Sequence, residues 1–200
     1  DASMILYLQN RDSSYRTRAG TALAAQLMRQ AYFTELRTED QLGYVVGLSY
    51  RPYRDRPGLG FIVQSPVADP KALEARTYQF LDDQIKAVGQ LTPAEFADFK
   101  TGLISNLTER PKNLNERSGR FWTDLQLGEL GFNSRQQMAD AVATIEQAEA
   151  VTIIRDLRQR LPEQQLLVYN TGKFEAEPER GAAIGSVAAL KEHARKESVL

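Results

Sequence analysis

The sequence contains no cysteine, a single histidine and no excess of charge of either sign. Without cysteine there is no disulfide, no thiolate zinc site and no thiol nucleophile. The lone histidine, His193, lies in a polar tail. Glu197 follows it by four residues, but no second histidine accompanies them. Neither H-E-x-x-H nor its inverted form H-x-x-E-H is present. A Ser-His-Asp triad would have to recruit His193 from that tail, and no G-x-S-x-G turn occurs. Gly58-Leu59-Gly60 is too short for a dinucleotide fingerprint, and there is no phosphate-binding loop. No loop spacing points to a calcium or magnesium site. Lys plus Arg number 25 against 26 Asp plus Glu, which argues against a nucleic acid or a membrane surface as the main partner. No apolar run approaches the length of a membrane span. The opening Asp1-Ala2-Ser3-Met4 lacks the basic and apolar regions of a signal peptide. Its abruptness fits a fragment whose address would lie elsewhere.

What is present is ordinary globular material. The chain has 200 residues, 42% of them apolar and 26% charged. That suits one domain with a core of its own. Met4 to Leu8 reads as a strand. From Tyr15 to Arg37 apolar residues recur at helical spacing through Ala19, Leu23, Leu27, Phe33 and Leu36. Leu42 to Tyr50 has strand chemistry, with Leu42, Tyr44, Val46, Leu48 and Tyr50 on one face. The opposite face, Gly43, Val45, Gly47 and Ser49, is unusually small and lets a neighbour approach. A loop with two prolines and Arg51, Arg54 and Arg56 leads to a strand from Leu59 to Gln64.

Helices dominate the rest of the chain. Asp69-Pro70 and the capping box Thr92-Pro93-Ala94-Glu95 each open one. A third runs through Leu114, Phe121, Trp122 and Leu125 to Gly128 or Gly131. Ser134 with Gln137, and Thr144 with Gln147, predict two further capping boxes. Pro162 predicts the end of the last long helix at Leu161, before a strand from Leu166 to Tyr169. Adjacent strands without crossover helices predict an antiparallel sheet, and the grouping of helices predicts an α+β layer with the helices on one side. Residues 1–172 form the expected domain; 173–200 read as a polar tail of loose order with a short helix near Ser186 to Lys196. By inventory alone this is an α+β domain with no visible active site.

The stretch that changes this is Leu36-Arg37-Thr38-Glu39-Asp40-Gln41-Leu42-Gly43-Tyr44. It resembles the L-R-T-x-x-Q-L-G-Y segment of the pitrilysin/insulin-degrading-enzyme (M16) family of zinc metallopeptidases. Gly58 to Ser65 resembles that family's following strand, G-x-x-F-x-x-Q-S. The helix start Leu91-Thr92-Pro93-x-x-Phe96 and the aromatic pair Phe121-Trp122 agree with it in order and spacing. The resemblance covers roughly residues 3 to 170.

The resemblance implies a great deal. The fold would be the M16-like (LuxS/MPP-like) domain. The chain would be the C-terminal domain of a peptidase built from two bowl-like halves that close around a peptide. Zinc would be held by the first domain, in the N-terminal half, and no metal by this one. That N-terminal half and the peptide substrate would be its partners, and the fragment alone would be inactive. Arg37 and Tyr44 would reach the peptide near the scissile bond, with Gly43 beside them in the same substrate-binding segment. A guanidinium and a phenol are donors that can meet the charge developing on a carbonyl oxygen.

Other readings exist for the same residues. Arg37 could serve only the helix C-terminus, or pair with Glu39 or Asp40. Tyr44 falls in the apolar phase of its strand, which predicts core packing. Gly43 and Gly47 could mark a bulge. Phe121 and Trp122 read as core, and the arginine loop as solvated. The whole chain could be a non-catalytic structural or partner subunit of an M16-like complex. An intact Arg37 to Tyr44 segment speaks against that. Ala, Arg and Gln richness points to a bacterial source, for which the periplasm is favoured over the cytoplasm.

Overall fold

A computed structural model describes residues 1–179 and 181–197, with side chains described as far as residue 192. The side chain of His193 lies outside the described ones. Four strands form one antiparallel sheet: β1 (Ala2–Gln9), β2 (Val45–Tyr50), β3 (Gly58–Ser65) and β4 (Gln165–Asn170), in the order β2-β3-β1-β4. The α-helices are α1 (Tyr15–Phe33), α2 (Pro70–Gln90), α3 (Pro93–Thr108), α4 (Leu114–Leu127), α5 (Ser134–Thr144), α6 (Gln147–Gln164) and α7 (Val187–Glu197). The expected α+β architecture is the one observed.

Strand alternation decides which side of the sheet is covered. Met4, Leu6 and Leu8 of β1, Val46 and Leu48 of β2, and Leu59, Phe61 and Val63 of β3 point into the core. Tyr32 of α1 stacks edge-on against Phe61 and Phe80, and its hydroxyl meets Thr77 of α2 at 3.0 Å. That bond satisfies the polar end of a ring otherwise buried in hydrocarbon. The opposite sheet face carries a row in register, Gly47–Ile62–Ile5–Val168. Ile5, Ile62 and Val168 of that row are all exposed.

Helix caps follow the sequence in part. Asp69 accepts from the Ala72 amide, and Thr92 with Glu95 closes its capping box in both directions. Gly128 ends α4 at φ +75°, where a left-handed backbone favours glycine. Two predicted caps are wrong. Ser134 is already helical, and its hydroxyl donates instead to the buried carboxylate of Asp124. Gln147 reaches the carbonyls of Val88 and Leu91 at 2.8 and 2.9 Å, tying α6 to the end of α2. Each side chain found a tertiary partner in place of the local one. Pro162 also sits inside α6 rather than stopping it at Leu161. Its missing N–H removes one i→i−4 bond, that to the Arg158 carbonyl, in the last turn of the helix.

Phe121 and Trp122, read as core, are exposed, Trp122 by 64%. The reason is that α4 stands off the body of the domain. Asp124 is its only buried residue. Leu114, Phe121, Trp122 and Leu125 therefore face outward, with Leu130 and Phe132 beside them.

Candidate functional site

The helix predicted to run to Arg37 stays α-helical only to Phe33. It continues as a π-turn over Thr34–Glu39. The wider turn shows in its bonds: the Asp40 amide reaches the Glu35 carbonyl at 2.8 Å, and the Leu42 amide the Leu36 carbonyl at 3.0 Å. π-turns are rare and concentrate at functional sites. Leu36 is fully buried and pins the turn to the core, while residues 37–40 face out. Gln41 then adopts φ +52°, a left-handed conformation that is costly for a side chain with a Cβ. It swings the chain from the helix end to the sheet edge.

Gly43 makes the next step possible. A Cβ at this position would lie 1.9 Å from the carbonyl oxygen of Gln64. Only glycine lets the backbone pass β3 this closely. The ladder begins one step later than Tyr44, with Val45 opposite Gln64. The strand expected from Leu42 thus starts at Val45. Alternation therefore does not govern Tyr44, and its side chain is 86% exposed rather than packed in the core.

Arg37 and Tyr44 stand at the two ends of this connection, both exposed. The Arg37 guanidinium lies 4.8 Å from the centroid of the Phe33 ring. It forms no ion pair among the described residues. Asp40 pairs instead with Arg76 of α2, whose Nε donates to Asp40 Oδ2 at 2.6 Å. The same guanidinium donates from Nη2 to Glu35 Oε2 at 3.0 Å, and Gln84 donates to the other Glu35 oxygen at 3.2 Å. Burial works to lower the Arg76 pKa, yet the hydrogen bonds to Glu35 and Asp40 carry it above its ordinary value. Sequence reading missed this group entirely. Arg76 lies 41 residues from Glu35 and 36 from Asp40.

The arginine loop keeps to its expected place, with Arg51, Arg54 and Arg56 all exposed. A hollow beside α4 is lined by Arg117, Arg120, Arg135, Phe121 and Phe132. Two of its arginines already serve backbone carbonyls: Arg135 those of Asn106 and Leu107, Arg120 that of Glu109. Among the described residues no group of three or more His, Cys, Asp or Glu is placed to hold a metal ion. No helix described is long and apolar enough to cross a membrane.

Known proteins resemble this chain in sequence and fold. Over 151 residues the chain is 28% identical to insulin-degrading enzyme-like 1, peroxisomal, of Arabidopsis thaliana, covering 76% of this chain and 16% of that protein. Over 124 residues it is 30% identical to Protease 3 of Salmonella typhi, covering 62% of this chain and 13% of that one. The chain thus spans about a sixth or less of the relatives it matches. The crystal structure of pitrilysin superposes with a TM-score of 0.79 at 23% identity, over 96% of this chain and 21% of that one. Residues 23–122, half of the chain, match the family described as PQQ synthase PqqF-like, C-terminal lobe domain 4. The chain therefore belongs to the PqqF-like C-terminal lobe domain 4 family and is an M16-type C-terminal domain.

Proposed function

We propose that this domain closes the substrate chamber of a zinc-dependent endopeptidase and supplies Arg37 and Tyr44 to the bound peptide. The remainder of the longer polypeptide, an N-terminal half, would hold the metal and the other wall. The observation that carries this reading is the exposure of both side chains on a segment whose backbone is otherwise firmly built in. A domain that wanted them only for packing would have buried them. Among the described residues no cluster fits zinc, so no metal step is assigned to them. Zinc in such enzymes activates water and polarises the scissile carbonyl.

This chain's own residues bind and orient. A phenol and a guanidinium, both hydrogen-bond donors, can meet the carbonyl oxygen as it gains negative charge. The Arg37 guanidinium has no carboxylate partner among the described residues; Asp40 and Glu35 are taken by Arg76. The open sheet face, with its exposed Ile5, Ile62 and Val168, offers apolar surface to a peptide inside the chamber. The exposed face of α4, with Phe121 and Trp122, is a candidate contact for the rest of the polypeptide.

The test is fractionation of the activity. The complete protein should cleave a fluorogenic peptide and lose that activity to a chelator. The 200-residue chain alone should do neither and retain no zinc after dialysis. Chelator-sensitive cleavage by the isolated chain would refute the division of labour.

A further inference from the structure

The π-turn that carries Arg37 is costly structure in an exposed place. Such turns are rare, and this one is followed at once by the left-handed Gln41. Something must hold it against relaxing. Leu36 anchors its inner side, but the outward edge has no apolar contact of that kind.

We propose that Arg76 is a positioning residue, clamping the π-turn so that Arg37 and Tyr44 keep their direction; the inference rests on the reading that those two side chains meet the peptide. The guanidinium uses one edge of its fork on two carboxylates, Nη2 on Glu35 at 3.0 Å and Nε on Asp40 at 2.6 Å. Glu35 and Asp40 are the pair already joined by the backbone bond that defines the wide turn. The side-chain bridge therefore runs parallel to that bond and doubles it. Gln84 of the same helix, itself buried, holds the second oxygen of Glu35.

The setting favours a stiff clamp. The side chains of Arg76, Glu35 and Asp40 are each less than one-third exposed, so water screens them only in part. The third nitrogen, Nη1, is buried without a partner in the described structure. Burying that donor unsatisfied is unfavourable, a cost that the two charge-assisted bonds to Glu35 and Asp40 offset. Lysine could not replace it, because a single ammonium lacks two rigidly spaced donors. α2 is thereby coupled to the peptide-facing segment through side chains alone.

Two variants test this, Arg76→Met and the charge-keeping Arg76→Lys. In the 200-residue chain, hydrogen exchange at the Asp40 and Leu42 amides should speed up about tenfold or more in both, while amides in β1 and β3 stay protected. In the complete protein both should lower kcat about tenfold or more with little change in KM. Arg76→Lys keeps the test open should Arg76→Met, with two carboxylates stranded, fail to fold. Unchanged exchange at Asp40 and Leu42 overturns the clamp. A wild-type kcat for Arg76→Lys beside an impaired Tyr44→Phe overturns the positioning role alone. Wild-type rates for both Arg37→Ala and Tyr44→Phe overturn the reading beneath it, and the proposal with it.

Discussion

In the complete protein, Tyr44→Phe and Arg37→Ala should each lower kcat/KM by about 10²–10³-fold, the usual scale for losing one donor to a developing oxyanion. Stability should hardly move. Tyr44 is 86% exposed and is not part of the core, and surface changes of this kind usually stay within about 0.5 kcal/mol. Arg37→Ala gives up its contact with the Phe33 ring at 4.8 Å, worth about 0.5–1 kcal/mol at an exposed site. Steady-state kinetics, thermal melting and metal analysis on the same preparations separate the effects. The expected pattern is a large rate loss with melting temperature and zinc content near wild type. Rates near wild type in both variants would leave the domain as a structural wall.

Gly43→Ala should do the opposite: unfold more readily as well as lose activity. The added methyl would lie 1.9 Å from the Gln64 carbonyl oxygen, a backbone atom that cannot rotate away. Either β2 separates from β3 at its first pair or the connection shifts outward. Forcing such an overlap costs about 1–3 kcal/mol. Gly47→Ala is the matched control. Its Cβ would meet only the Ile62 side chain at 3.4 Å, on the open face of the sheet. Denaturant unfolding of the two variants should place the Gly43→Ala midpoint well below wild type and the Gly47→Ala midpoint close to it. Equal midpoints would mean that Gly43 is not needed for the close approach.

How much of this could be read from the residues depends on whether a signal was local. The Thr92 capping box needs only four consecutive residues, and it forms as written. The inward phase of Val46 and Leu48 in β2 follows from alternation and survives in the fold. The Arg37 to Tyr44 segment was legible through its resemblance to a family, and the structure accounts for several of its letters. Leu36 is the anchor, Gly43 the close approach, and Gln41 the left-handed hinge.

Failures arose where a distant residue competed. Ser134 and Gln147 have capping chemistry, but Asp124 and the end of α2 claimed them. The exposure of Tyr44 was hidden because alternation was extended past the point where the ladder starts. Trp122 and Phe121 were read as core because aromatic residues at helical spacing normally are; nothing local reveals that α4 has no neighbour on that side. The Arg76 clamp links three residues spread over 41 positions, which no periodicity could expose.

The central claim is that the segment from Arg37 to Tyr44 faces a bound peptide. The most direct measurement places a photoreactive phenylalanine analogue at position 44 of the complete protein and irradiates it with a labelled substrate peptide after the metal is removed. The account predicts label on the peptide, abolished by excess unlabelled substrate, and none from the same analogue at position 80, which is fully buried in the core. A peptide left unlabelled from position 44, by a variant that still binds it, would contradict the account.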